Sequence, residues 1–484
     1  MSKYSVRGIA VYGALVVAAV AVFFVIQGFG NVLTAPAPLT QTEAHGAAAA
    51  AASDTLWHLL IALTVVVIAG RILGWLFVHI HQPPVIAEVI AGILLGPSLL
   101  GQISPEAYAY ILPGSVAPFL GVVAQLGVIL YMFLVGLELN PDHLRGQVHA
   151  TVATSHASII APFVLGSGLS LYLYPRFSTS DVPFTNFALF IAIAMSITAF
   201  PVLARILAER NMMRTKLGVV AITCAAVDDV TAWCLLAFVV GVVQAKADGA
   251  LVVALLTIGF IGFMYFVVRP LIARMASAWD RNPTQGGIAI ALVGVLFGAL
   301  TTEAIGVHAV FGAFMLGAII PHDSTLARSL RESLENVVTI LLLPAFFAFT
   351  GMRTEIGLLS SGYEWAVCGL IIMVAVAGKF GGTLVAARFT GLKWREAAGL
   401  GVLMNTRGLM ELIVLNIGLD LGVISPTLFA MLVVMALVTT LATTPALHIL
   451  VPQSRTFNRT DAFKARIHAM SRAEIQVAAD TPSA

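Results

Sequence analysis

Charge is what this 484-residue sequence has least of: Asp, Glu, Lys and Arg together make up 10% of it, against 59% hydrophobic residues. A water-soluble domain carries about 25% charged residues to keep its surface solvated, so the chain reads as an integral membrane protein. Net charge is equally scarce, and +2 supplies no basic field for nucleic acid. There are only three cysteines, Cys224, Cys234 and Cys368. Each sits in an apolar stretch, too far from the others for a metal knuckle, which excludes a disulfide framework and a zinc motif and leaves packing. Gly-rich phosphate loops are missing as well, so neither a nucleotide-driven pump nor a nucleotide-binding domain is expected.

What the sequence has is apolar runs of bilayer length, roughly 20 residues each. They begin near Ile9, Leu56, Val85, Val116, Ala150, Phe187, Leu217, Leu251, Ile288, Val307, Val337, Ala366, Ala398 and Thr427. The expectation is an all-α polytopic membrane protein of about 13–14 transmembrane helices. The transmembrane domain takes residues 53–452, after an N-terminal helix (or signal peptide) and Ala/Pro-rich linker over 1–52, and before a short tail over 453–484. The first run is longer than a signal-peptide core, which favours a retained helix. Lys and Arg sort onto alternate loops. Arg145, Arg210, Arg214, Lys216, Arg274, Arg281, Arg328, Arg331, Lys393, Arg395 and the tail from Arg455 to Arg472 share one side. Arg176, Lys246 and Arg353 fall on the other. The positive-inside rule puts the first set, and the C-terminus, in the cytoplasm.

Ionisable groups within apolar spans are costly unless paired or functional. Here they are Arg71, Glu88, Asp228, Asp229, Lys379, Arg407 and Glu411, with Glu138 and Glu303 near span ends. Asp228 and Asp229 stand near the middle of one expected helix. Neighbours on a helix project about 100° apart, so the two do not clasp one small ion together, yet they share a low-dielectric site. A carboxylate there that holds either a proton or a hard cation, never both, has what exchange of the two requires. Lys379 is the natural counter-charge, and Gly378, Gly381 and Gly382 around it allow close helix approach. Two spans look interrupted. In Ser196-Ile197-Thr198-Ala199-Phe200-Pro201, Pro201 is expected to break a mid-span hydrogen bond and free carbonyls. In Asn405-Thr406-Arg407-Gly408-Leu409-Met410-Glu411, polar residues enter an apolar helix. One interruption precedes the aspartate pair and the other follows Lys379, the arrangement of inverted-repeat secondary transporters. Glu88, Arg71, Glu411 and Arg407 read mainly as structural ion pairs, Arg407 and Glu411 at i,i+4 spacing. His156 and His308 read as satisfied polar contacts.

Four runs carry a family resemblance: Gln82-Pro83-Pro84-Val85-Ile86-Ala87-Glu88 through Gly96-Pro97, Phe133-Leu134-Val135-Gly136-Leu137-Glu138-Leu139, Thr198-Ala199-Phe200-Pro201-Val202-Leu203-Ala204-Arg205, and Asn405 through Leu412. In this order, over Leu56 to Leu450, they resemble the monovalent cation:proton antiporter-2 family, which includes bacterial Na+/H+ antiporters and plant cation/H+ exchangers. The resemblance implies two inverted repeats with crossing broken helices, and a core (transport) domain moving elevator-fashion against a dimerisation domain. It also implies a homodimer in a bacterial inner membrane, exchanging Na+ or Li+ for protons. Such a protein is no enzyme and needs no cofactor beyond the ions it carries. By the same resemblance Asp229 is the principal cation ligand, while Asp228 is a second one that pairs with Lys379. Ser196 and Thr198 lie in the first broken helix near the ion, and Asn405, Thr406, Arg407 and Glu411 in the second. Plant exchangers carry Asn where Asp228 stands; the Asp-Asp pair with Lys379 resembles the electrogenic sodium/proton group instead. Kef-type potassium efflux systems share the membrane fold, so K+ stays open as a substrate.

Overall fold

The computed structural model describes residues 3–31, 33, 52–80, 82–138, 148–210, 212–213, 215–244, 250–279 and 285–451. The Ala-rich linker, Arg145, Arg214, Lys246, Arg281 and the tail from Arg455 lie outside the described residues. Among the described residues every regular element is helical, as a bilayer interior demands of a backbone that finds no water to bond. Twelve helices among the described residues are long and apolar enough to cross a membrane, thirteen if the bent pair Trp394–Met404 and Leu409–Asp420 is one span. The run near Val307 forms only Ala309–Ile319, of 11 residues. At 1.5 Å per residue that is about 16 Å, half a hydrocarbon core of about 30 Å.

The helices pack in two groups. One comprises Ala52–His79, Pro84–Leu95, Ala117–Glu138, Gln285–Ile305, Ala309–Ile319 and Leu343–Arg353. Lacking water to drive them together, these helices meet through glycine. A Cβ on Gly136 would stand 3.0 Å from the Gly317 Cα, and one on Gly351 2.7 Å from the Ile93 nitrogen. The other group holds Lys3–Gly30, Val148–Phe177, Phe184–Ser196 with Phe200–Glu209, Lys216–Gln244, the Gly362–Phe389 span, the bent pair and Pro426–Leu450. Its first helix packs into the bundle, Phe23 lying 6.0 Å from the Phe163 ring and Gln27 donating to Thr185 at 2.9 Å. The Ala250–Phe263 helix touches both groups. Among the described residues the buried charges, Asp228, Asp229, Lys379, Arg407 and Glu411, belong to the second group.

Candidate functional site

One span of the second group stops at Ser196 and restarts at Phe200; the bent pair stops at Met404 and restarts at Leu409, turned by 43°. Pro201 occupies the first turn of the restarted helix, where its missing N–H forfeits nothing. The expectation that Pro201 breaks the span is therefore corrected: the chain departs from the helix at Ile197–Ala199, and Pro201 opens the second half. The two breaks cross and complete one another. The Ala199 amide donates to the Thr406 carbonyl at 3.0 Å, and the Thr198 hydroxyl lies 3.1 Å from the Met404 carbonyl.

A helix that ends inside a bundle leaves its last carbonyls bare and its negative pole exposed. Here two buried cations cover them. Arg407 donates from Nη1 to Ala194 and from Nη2 to Met195, each at 2.7 Å, and Lys379 Nζ donates to Ser196 at 2.5 Å. Arg407 also pairs with Glu411 at 2.8 Å, both side chains fully buried. The helix begins only at Leu409, so this i,i+4 pair forms across the break rather than along a continuous helix. Thr440, on the last helix, holds the Arg407 backbone, accepting from its N–H at 2.9 Å and donating to its carbonyl at 2.8 Å.

The adjacent aspartates meet opposite environments. Asp228 is fully buried and takes four donors: Ser155 on Oδ1 at 2.5 Å, and Ser158, Thr198 and Lys379 on Oδ2 at 2.7, 2.9 and 3.0 Å. Lys379 reaches it from a π-helical turn, Ala377–Gly381, a local widening common at functional positions. Gly378 allows the approach: a Cβ there would stand 2.7 Å from the Pro162 Cα. Pro162 lies on Val148–Phe177, the helix that presents Ser155 and Ser158.

Asp229 is 2% exposed, and neither of its oxygens finds a hydrogen-bond partner among the described residues. The first-turn amide of the restarted helix, at Phe200, is the backbone donor directed toward it, and that helix end is a positive pole. Beside the carboxyl lies a cavity of about 10 Å³, walled by Ile197, Ala232, Trp233, Leu236, Met410 and Val414. That is room for roughly one water-sized body. Two larger cavities lie between the helix groups. One, of about 320 Å³, reaches toward the end that carries Arg205 and shares Met410 with the small cavity. The other, of about 400 Å³, lies toward Glu303, His308 and Asp420. Burial pushes the His308 imidazole below its ordinary range, against the opposing pull of Glu303 and Asp420. It caps Ala309–Ile319 as an acceptor, taking the Val310 amide at 3.5 Å.

The structure thus brings Asp228, Thr198, Lys379 and the Ser196 carbonyl together, with Asp229 on the adjoining face. The Ser196 hydroxyl is turned away, donating to Ala192 at 2.7 Å and lying 3.1 Å from Ile159 O. Thr406 contributes its carbonyl, while its hydroxyl and the Asn405 Oδ1 are buried without a hydrogen-bond partner among the described residues. Asp228, expected as a second cation ligand, has both oxygens engaged by donors. Glu88 and Arg71, expected to be ion-paired, lie on one cavity wall without a bridge between them. Sequence reasoning missed Ser155, Ser158 and Thr440. The signal for the first two was their i,i+3 spacing, which puts two hydroxyls on one helix face.

Comparison with known proteins follows the same lines. The family described as sodium/hydrogen exchanger, transmembrane, matches residues 59–451. The Na(+)/H(+) antiporter NhaS4 of Synechocystis sp. is 46% identical over 398 residues, covering 81% of this chain and 97% of that one. The Cation/H(+) antiporter 20 of Arabidopsis thaliana is 40% identical (80% of this chain, 48% of that one). The K(+)/H(+) antiporter 1 of Saccharomyces cerevisiae is 34% identical (78% and 44%). This chain therefore spans about half the length of these last two relatives. The solved structure of the sodium proton antiporter MjNhaP1 from Methanocaldococcus jannaschii shares the fold, with a TM-score of 0.53 at 13% identity over 81% of this chain and 96% of that one. Fold and relatives together define a polytopic secondary transporter rather than an enzyme. The chain belongs to the sodium/hydrogen exchanger family of cation/proton antiporters.

Proposed function

We propose that this antiporter exchanges Na+ or Li+ for protons, with Asp229 as the group that carries them in turn. One observation carries the reading: among the described residues Asp229 is a buried aspartate whose oxygens complete no hydrogen bond, the Phe200 amide only facing it, and it borders a cavity of single-ion size. A carboxylate so placed gains from a proton or a partly dehydrated cation, and binding one displaces the other. Asp228, Lys379 and the capped half-helix form the charge frame around it. One proton leaving Lys379 and one leaving Asp229 for each cation bound makes the exchange electrogenic. The cavities on either side of the site, both between the helix groups, support alternating access by an elevator displacement of the group bearing the aspartates. The bacterial source of the Synechocystis relative and the Lys/Arg distribution support a bacterial inner-membrane location with the C-terminus cytoplasmic, and we assign the glycine-seamed group to a homodimer contact. K+ is the alternative cargo, favoured by the relative named as a K(+)/H(+) antiporter.

The test uses purified protein in liposomes with a proton gradient and an internal pH dye. Na+, Li+ and K+ are added separately, with and without an ionophore that clamps voltage. Dissipation by Na+ and Li+, faster when charge is compensated, is the expected result. Equal dissipation by K+ without voltage dependence overturns both the selectivity and the electrogenicity. Asp229→Asn is expected to abolish the cation-dependent signal while the protein still purifies as a folded species; full exchange in that variant removes Asp229 from the mechanism.

A further inference from the structure

The 320 Å³ cavity lies between the helix groups at the end that carries Arg205, and Asp229 is one side chain away from it. Met410, itself 2% exposed, forms part of its wall and part of the wall of the Asp229 cavity. Tyr131 lines the large cavity too and lies close enough to Asp229 to feel its charge. This cavity is therefore the vestibule from which an ion at this end reaches the carrier carboxylate.

Its wall holds four charges: Arg71 and Arg205, Glu88 and Glu335. Arginines flanking a route for cations are an obstacle, because a unit positive charge in a partly desolvated space repels another over several ångströms. Glu88 lies within electrostatic reach of both arginines. Among the described residues it forms no hydrogen bond and no ion pair, which distinguishes it from Asp228 and Glu411. Gly70 leaves it the space: a Cβ on Gly70 would stand 3.5 Å from the Glu88 Cγ. Glu88 is thus a half-buried carboxylate with free oxygens in a cavity large enough for a cation and several of its waters.

We propose that Glu88 is a transient binding station for the transported monovalent cation, positioned between the vestibule mouth and Asp229. This rests on the reading of Asp229 as carrier and adds a residue from the opposite helix group to the ion's route. A carboxylate on the wall facing the moving group attracts the cation into a chamber that also holds Arg71, Arg205 and Glu335, and releases it across Met410. The repulsion from Arg71 keeps it from being held too tightly.

The experiment compares wild type, Glu88→Gln, Glu88→Asp and Arg71→Gln in proteoliposomes, measuring KM for Na+ and for K+ and the maximal exchange rate. Glu88→Gln is expected to raise KM roughly three- to tenfold, with the maximal rate within about twofold, and added choline chloride to narrow the gap by screening. Glu88→Asp is expected to return KM toward wild type. Arg71→Gln is expected to move KM the opposite way, downward, a result that loss of packing does not produce. A wild-type KM in Glu88→Gln overturns the station, as does a fall in maximal rate alone. Exchange that survives Asp229→Asn overturns the carrier reading instead, so the two failures are told apart.

Discussion

At the scale of single residues, the pair Asp228 and Asp229 shows how neighbours on one helix are given different work. One carboxylate faces the serine helix and collects three hydroxyls and an ammonium; the other, about 100° around, faces a small apolar-walled cavity. Hydrogen bonds to a charged group are worth about 1.5–3 kcal/mol each. Ser155→Ala is therefore expected to lower the stability of the purified protein by about that much, read as a downward shift in thermal unfolding. The double Ser155→Ala, Ser158→Ala variant is expected to fall further, and Ser155→Thr to recover part of the loss. An unshifted unfolding temperature in the double variant would mean that Thr198 and Lys379 hold Asp228 without the serines. The aspartates and Lys379 were legible in the sequence because a charge in an apolar run stands out against its neighbours. Ser155 and Ser158 were not, since a serine in a transmembrane helix can satisfy its hydroxyl on a carbonyl one turn back, as Ser167 and Ser170 do, and leaves no mark on hydropathy.

At the scale of elements, the informative feature is how the broken span ends. Its carbonyls at Ala194, Met195 and Ser196 are met by side chains from two other spans. The sequence pointed to both interruptions but assigned Arg407 only to Glu411. Its second task, capping the half-helix across the crossing, depends on residues about 212 positions away, and local spacing holds no trace of that distance. Removing one partner of a buried ion pair costs about 3–5 kcal/mol, because the other is left charged and bare. Arg407→Gln is expected to lose stability on that scale. Arg407→Lys keeps the charge but lacks the planar fork that serves two carbonyls and a carboxylate together, so its unfolding temperature is expected to fall between those of wild type and Arg407→Gln. A Lys variant as unstable as the Gln variant would show that the fork, rather than the charge, closes the helix end.

At the scale of the molecule, every apolar run of the sequence has its helix, because hydropathy is a property of local sequence, although the run near Val307 gives only the short Ala309–Ile319. A division into two domains was implied by the family resemblance, but which helices fall in which group was not legible, since glycine seams and polar networks look alike as scattered small and hydroxyl residues until they are brought together. The groups are latched at one end: Arg353 pairs with Asp420 at 2.6 Å and donates to Asn416 at 3.1 Å. Arg353→Gln is expected to loosen this end. The readout is faster labelling, by a membrane-impermeant maleimide, of a cysteine placed at Ile417, which lines the 400 Å³ cavity. Unchanged labelling would place the closure elsewhere.

The capped half-helix also limits which parts of the molecule can travel separately. The span that carries Lys379 is bonded to both the aspartate helix and the first broken span, the second broken span is bonded to the first, and Thr440 ties the last helix to the second. Sliding any one of these past its neighbours strips a carbonyl or a carboxylate of its donor where no solvent can replace it. Under the elevator reading proposed above, the slip plane lies between the two groups, where the Arg353 latch to Asp420 and Asn416 sits, and the cargo crosses the membrane inside a block that moves whole.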